Sequence, residues 1–97
     1  MMDEMERSAF AERAYAIGDR AFETALAVAR GRLLADEEIA VLDGLRVEIR
    51  EQTSRAEELG IDDPAIVQAL SDAFLDAEFA RSGGRTPRSG RLAANLE

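Results

Sequence analysis

Residues 14 to 25 read AYAIGDRAFETA and carry small side chains at Ala14, Gly18, Ala21 and Ala25. The spacings of four, three and four residues place these positions on one face of an α-helix. We call them the small-residue seam. Because no bulky side chain stands on such a face, the backbone of a second helix can approach it closely. The segment therefore predicts a helical protein in which another helix packs against this seam.

The small-residue seam lies inside a longer helix, predicted over residues 4–30. Asp3 is a suitable N-cap residue, and Gly31 is suited to end the helix in a left-handed conformation. Larger apolar side chains border the seam: Phe10, Ile17 and Val28 on one side, Tyr15, Phe22 and Leu26 on the other. The whole apolar arc covers roughly 180°, whereas one packing partner needs only ~100°. This width predicts that the first helix contacts more than one neighbour.

The sequence predicts two further helices, at about residues 37–59 and 64–81. Asp36 is predicted to cap the first of them, and Asp63-Pro64 to open the second, because Pro is favourable at the first helical position. Short links predict that helices 1 and 2 are antiparallel neighbours. The predicted fold is therefore all-α, an antiparallel helical hairpin with a shorter third helix, in one three-helix domain over residues 1–82.

The third predicted helix has more apolar positions than one packing face requires. One face carries Ile66, Val67, Leu70, Ala73, Phe74 and Ala77 and is expected to enter the core. Leu75 and Phe79 lie on a different side of this helix, where a monomer would expose them. This surplus predicts a homodimer that completes a helical bundle. The alternative is that the third helix sits in the groove of the hairpin and that tail residues such as Leu92 cover Leu75 and Phe79. The residues expected at its interface are Tyr15, Phe22, Leu26, Leu75 and Phe79.

The segment over residues 83–97 is rich in Gly and Arg, and we expect it to be a flexible tail. Residues 1–80 carry a net charge of −11 and residues 81–97 a net charge of +3. The basic residues Arg85, Arg88 and Arg91 are expected to contact an acidic surface, which could belong to a partner or to the chain itself. Sequence-specific DNA binding is not expected, because no predicted helix carries a basic face.

The composition excludes several kinds of chemistry. The chain has no His and no Cys, and all 12 of its basic residues are Arg. Zinc fingers, thiol nucleophiles, Ser-His-Asp triads and lysine-dependent phosphate loops are therefore excluded. Asp72 and Asp76, four residues apart, are expected to face solvent. We expect no metal or other cofactor, because a metal site in a helical bundle needs acids converging from facing helices.

These features predict a non-enzymatic, acidic, cytoplasmic protein that acts by association with another protein, as a regulator, adaptor or assembly factor. No membrane association is expected, because no long apolar segment is present. An alternative is an inhibitor, immunity protein or antitoxin whose acidic body neutralises a basic target surface. A carboxylate-based, metal-dependent enzyme is a third and weaker alternative.

Overall fold

A computed structural model describes residues 3–96 and contains four helices in that range: α1 Glu4–Ala29, α2 Asp36–Glu58, α3 Pro64–Arg81 and α4 Gly90–Asn95. No strand occurs within these residues. The three long helices pack against each other, so the prediction of an all-α fold is confirmed. None of these helices is both long and apolar enough to cross a membrane.

The helices begin at local signals that the sequence carries. Oδ1 of Asp3 accepts a hydrogen bond from the Glu6 N–H at 2.7 Å, and Oδ1 of Asp63 accepts one from the Ala65 N–H at 2.9 Å. These contacts satisfy backbone donors that a helix start would otherwise leave without partners.

The prediction that Asp36 caps α2 is wrong by one residue. Ala35 occupies the N-cap position and has no side-chain acceptor to offer. Oε1 of Glu38 instead accepts a hydrogen bond from the Ala35 N–H at 3.4 Å. Glu38 also pairs with Arg32, and this hydrogen-bonded guanidinium lowers the pKa of the Glu38 carboxyl. Asp36 lies in the first turn, where an anion favours the helix dipole.

The small-residue seam of α1 receives a second helix, as the sequence predicts, and the structure shows that this helix is α3. Ala14, Ala21 and Ala25 are completely buried. A Cβ atom at Gly18 would lie 3.6 Å from the carbonyl oxygen of Ala69, which is an ordinary van der Waals contact, so α3 passes about one methyl group away from the α1 backbone there. The α1–α3 contact is the most extensive in the fold, the α2–α3 contact is smaller, and the α1–α2 contact is smaller still.

This close contact sets the rotation of α3. The residues of α3 that are buried and exposed therefore differ in part from the prediction. Ile66, Leu70, Ala73 and Ala77 are buried as predicted, but Val67 and Phe74 remain 49% and 37% exposed. Phe79, predicted to be exposed, is only 3% exposed. Because small residues draw α3 toward α1, the side carrying Phe79 turns inward and the side carrying Val67 and Phe74 turns outward.

The predicted flexible tail differs from the structure, which packs it against the body. Residues 90–95 form α4, and Leu92 is completely buried in the larger of two core clusters. The chain reverses direction after α3 at Gly83 and Gly84, whose φ angles are +68° and +89°. Gly84 also lies against the Phe79 ring, where a Cβ atom would be 3.4 Å from Cζ. The turn therefore covers Phe79 and directs residues 85–96 back along the bundle.

Two glycine substitutions should change stability in opposite directions. Gly44 lies inside α2, where an added Cβ would meet nothing within 4 Å. We expect Gly44→Ala to raise the free energy of unfolding by roughly 0.5–1 kcal/mol, because Ala loses less backbone entropy in a helix. Gly84→Ala should lower it by roughly 1–3 kcal/mol, because an L side chain is strained at positive φ. Urea unfolding of both variants measures this; equal effects would contradict the assigned backbone conformations.

Candidate docking groove

An apolar groove runs along the surface between α2 and α3 and encloses about 600 Å³. The two helices are antiparallel, because Asp43 and Arg46 near the start of α2 pair with Arg81 and Glu78 at the end of α3. The groove is lined by Arg50, Thr53, Ser54, Ala56 and Glu57 of α2, Ile61 of the link, and Val67, Leu70, Ser71, Phe74 and Leu75 of α3. We call it the α2–α3 groove.

The exposed apolar surface of the α2–α3 groove comes from α3. Val67, Phe74 and Leu75 are 49%, 37% and 36% exposed. Val67 and Phe74 are seven residues apart and lie on one side of α3, and Leu75 lies about 100° further around the helix. All three side chains line the groove. Other exposed apolar residues, such as Leu33 and Met5, lie elsewhere on the chain. The groove thus collects large apolar side chains that the monomer leaves in water.

Ion pairs hold α2 against α3 at one end of the groove. Nε of Arg46 donates to Oε1 of Glu78 at 2.7 Å, and Nε of Arg81 donates to Oδ1 of Asp43 at 3.0 Å. Both side chains of the Arg46–Glu78 pair are about three-quarters buried, so solvent screens this pair less than a fully exposed one. The walls of the groove are therefore fixed helices and not mobile loops.

The predicted interface residues do not form one surface. Leu75 lines the α2–α3 groove, whereas Tyr15 is 44% exposed on α1 and lies outside it. Phe22 and Leu26 are partly buried and pack against the larger core cluster. Phe79 belongs to that cluster, so the monomer does not expose it as predicted. Phe74 and Val67, which were predicted to enter the core, are exposed instead.

The tail arginines contact the chain's own surface. Nη2 of Arg91 donates to Oδ1 of Asp19 at 2.8 Å, and its guanidinium carbon lies 4.2 Å from the centre of the Phe22 ring. This combines an ion pair with a cation–π contact. Arg88 lies 6.0 Å from the centre of the Phe79 ring, and Nε of Arg85 donates to the carbonyl oxygen of Ser82 at 2.8 Å. The basic residues of the tail thus form contacts within the chain itself.

Asp76 was predicted to face solvent, but it is completely buried beneath α4. Its Oδ1 accepts a hydrogen bond from Oγ of Ser89 at 2.6 Å, and the same Oγ accepts one from the Leu92 N–H at 3.0 Å. Ser89 therefore caps α4 and binds α3 through one hydroxyl group. Ser89 stands three residues before the apolar Leu92, and Ser is a favoured N-cap residue at the start of a helix. This spacing is the sequence signal that could have identified the anchor.

Burial raises the pKa of the Asp76 carboxyl, because desolvation disfavours the anion. The hydrogen bond from Ser89 acts in the opposite direction, the charge of Asp72 adds to the increase, and Arg91 opposes it. Oδ2 of Asp76 has no hydrogen-bond partner among the described residues. Compared with water, the folded protein therefore favours the neutral form of the Asp76 carboxyl over its charged form.

The acidic residues do not assemble into a metal site. Among residues 3–96, no group of three or more Asp or Glu side chains is placed to hold an ion. Oδ1 of Asp72 instead accepts a hydrogen bond from Nε2 of Gln68 at 3.0 Å.

Comparison of the chain with family models, with curated proteins and with solved structures gives no match.

The Asp76 site makes stability depend on pH in a defined direction. A carboxyl whose pKa is raised by folding contributes stability at pH values below its pKa in the unfolded chain, which is about 4. This contribution is lost as the pH rises through the pKa of the same carboxyl in the folded protein. We therefore expect Asp76→Asn to become more stabilising, relative to the native protein, as the pH rises from about 4 to about 7. Unfolding free energies at both pH values measure this, with Asp62→Asn, in an exposed link, as the control. An Asp76→Asn effect that is constant or decreases with pH would contradict it.

Loss of the Ser89 hydroxyl should loosen α4. Ser89→Ala removes the cap of α4 and leaves both oxygens of Asp76 without a hydrogen bond. We expect it to lower the free energy of unfolding by roughly 1–3 kcal/mol and to speed amide hydrogen exchange in residues 90–95. The control Ser8→Ala, at an exposed position of α1, should change stability by less than about 0.5 kcal/mol. Equal effects of the two variants would argue against the anchor.

Proposed function

We propose that this protein acts without catalysis, by binding an amphipathic helix of a protein partner in the α2–α3 groove. The observation that carries the proposal is the exposure of Val67, Phe74 and Leu75 within one groove. Contiguous apolar surface of this kind marks interaction sites, whereas single exposed apolar residues are normal. The proposed role is that of a regulator, adaptor or assembly factor.

The shape of the groove favours a helix as the bound segment. Two antiparallel helices form its walls, and helix-in-groove binding uses apolar side chains spaced three, four and seven residues apart. The centre of the groove carries the small polar side chains of Ser54 and Ser71. Small residues at this point allow the backbone of a bound helix to come close, while Phe74 on the wall packs along its side.

The alternative function, an inhibitor that neutralises a basic target, is favoured by a different feature. The net charge is −8, and the ion pairs of the described residues leave many carboxylates of α1 and α2 unpaired. Such a partner would bind by electrostatic attraction that salt screens. Apolar docking in the groove predicts weak salt dependence, so salt separates the two functions.

Site-specific photo-crosslinking tests the groove directly. A photoreactive amino acid placed at Ser71, inside the groove, should give a discrete crosslinked protein product in cells that naturally express the chain. The same amino acid at Leu33, which is 93% exposed outside the groove, serves as the matched control and should give none. Repeating the reaction in lysate at about 50 and about 500 mM NaCl should change the Ser71 yield by less than about two-fold.

Two results would count against docking in the groove. Equal product at Ser71 and Leu33 would show that the crosslinks are non-specific. Loss at high salt of a Ser71 product formed with a different protein would favour the acidic inhibitor instead, because screening weakens attraction between charged surfaces.

A further inference from the structure

We infer that the α2–α3 groove packs against the same groove of a second copy of this chain, so that α3 of each copy is the helix that the other binds. The two copies are related by a two-fold axis that lies in the interface and passes beside Ser54 and Ser71. This inference rests on the proposed function and names the partner for the same site. It is carried by three features of the structure: the shape of the molecule, the position of its apolar side chains, and the position of its unpaired charges.

The molecule exposes more surface than its mass requires. Its accessible surface is 6305 Å², whereas a compact monomer of 10.6 kDa exposes about 5500 Å². The excess of about 800 Å² is close to the area that each partner buries in a stable interface of standard size. A second copy packed on the groove would bury an area of this order.

The apolar residues of α3 match each other under a two-fold axis. Val67 and Leu75 lie four residues before and four residues after Ser71. When two copies of α3 cross in antiparallel directions at Ser71, each Leu75 faces Val67 of the other copy. Both side chains are exposed in the monomer, and Ser71 at the centre allows close approach. A self-complementary surface of this kind is what a two-fold interface requires.

Two charged side chains of α2, Arg50 and Glu57, are also placed to match each other under the two-fold axis. Arg50 lies four residues before Ser54 and Glu57 lies three residues after it, and both line the groove. Neither forms an ion pair within residues 3–96. Because α2 and α3 are antiparallel, Arg50 lies at the Leu75 end of the groove and Glu57 at the Val67 end. The two-fold axis therefore brings each Arg50 to Glu57 of the other copy and forms two ion pairs.

Charge reversal provides a test specific to this geometry. Arg50→Glu replaces both ion pairs by Glu–Glu repulsion, and Glu57→Arg replaces both by Arg–Arg repulsion. We expect each variant to raise the dimer Kd by about ten-fold or more. An equimolar mixture of the two variants should recover native-like dimerisation, because two attractive pairs form between the different chains. The double variant R50E/E57R should also recover it.

Sedimentation equilibrium from about 1 to about 300 µM measures the dimer Kd of each protein, and circular dichroism checks that each is folded. Arg7→Glu and Glu12→Arg make the same charge changes at exposed α1 positions outside the groove, and they should leave Kd within about two-fold. A native protein that stays monomeric overturns the inference, as does failure of the mixture to recover dimerisation.

The outcomes separate this inference from the proposed function. If the native chain is monomeric but Ser71 still crosslinks to a different protein, the groove binds a partner and only its identity as a second copy is wrong. If Ser71 gives no specific product and the native chain is monomeric, docking in the groove is wrong as well. If dimerisation is lost in both single variants and recovered in their mixture, both conclusions stand.

Discussion

The contact between α3 and the small-residue seam of α1 controls the arrangement of the remaining surfaces. A Cβ atom at Gly18 would be in ordinary van der Waals contact with the carbonyl oxygen of Ala69, and the buried alanines of α1 let α3 pack directly against the seam. A helix held this closely has one favourable rotation. That rotation turns Asp76 and Phe79 inward beneath α4 and leaves Val67 and Phe74 on the outer side. Both the tail anchor and the α2–α3 groove therefore follow from a single packing contact.

The tail and the groove lie on different sides of α3 and have opposite character. On one side, Ser89 and Leu92 close the bundle with a buried polar contact and an apolar side chain. On the other side, residues 3–96 supply no further helix, and the apolar residues of the groove stay in contact with water. This difference explains why association is proposed at the groove: the side covered by α4 already has its partner within the chain, whereas the groove side does not.

The sequence predicted the helical class and most helix ends because those depend on local signals. Asp3, Asp63 and Gly31 act within one turn of their own positions, so no knowledge of distant residues is needed. The faces of α3 were predicted less well. Its apolar residues surround most of the helix, and periodicity alone cannot show which of Phe74 and Phe79 enters the core. The Gly and Arg content of the tail indicates disorder, whereas its order comes from contacts with distant residues such as Asp19 and Asp76.

Length, composition and spacing by themselves determined an all-α chain without His, Cys or Lys chemistry, with small residues on α1 and more apolar surface than one packing face can use. Only the tertiary structure decided which apolar residues remain exposed, that Asp76 is buried, and that the tail folds against α1 and α3. The physical reason is the range of the interactions. Caps and helical periodicity act over a few residues, whereas burial depends on how closely two distant helices approach, and here the small side chains of the seam permit that approach.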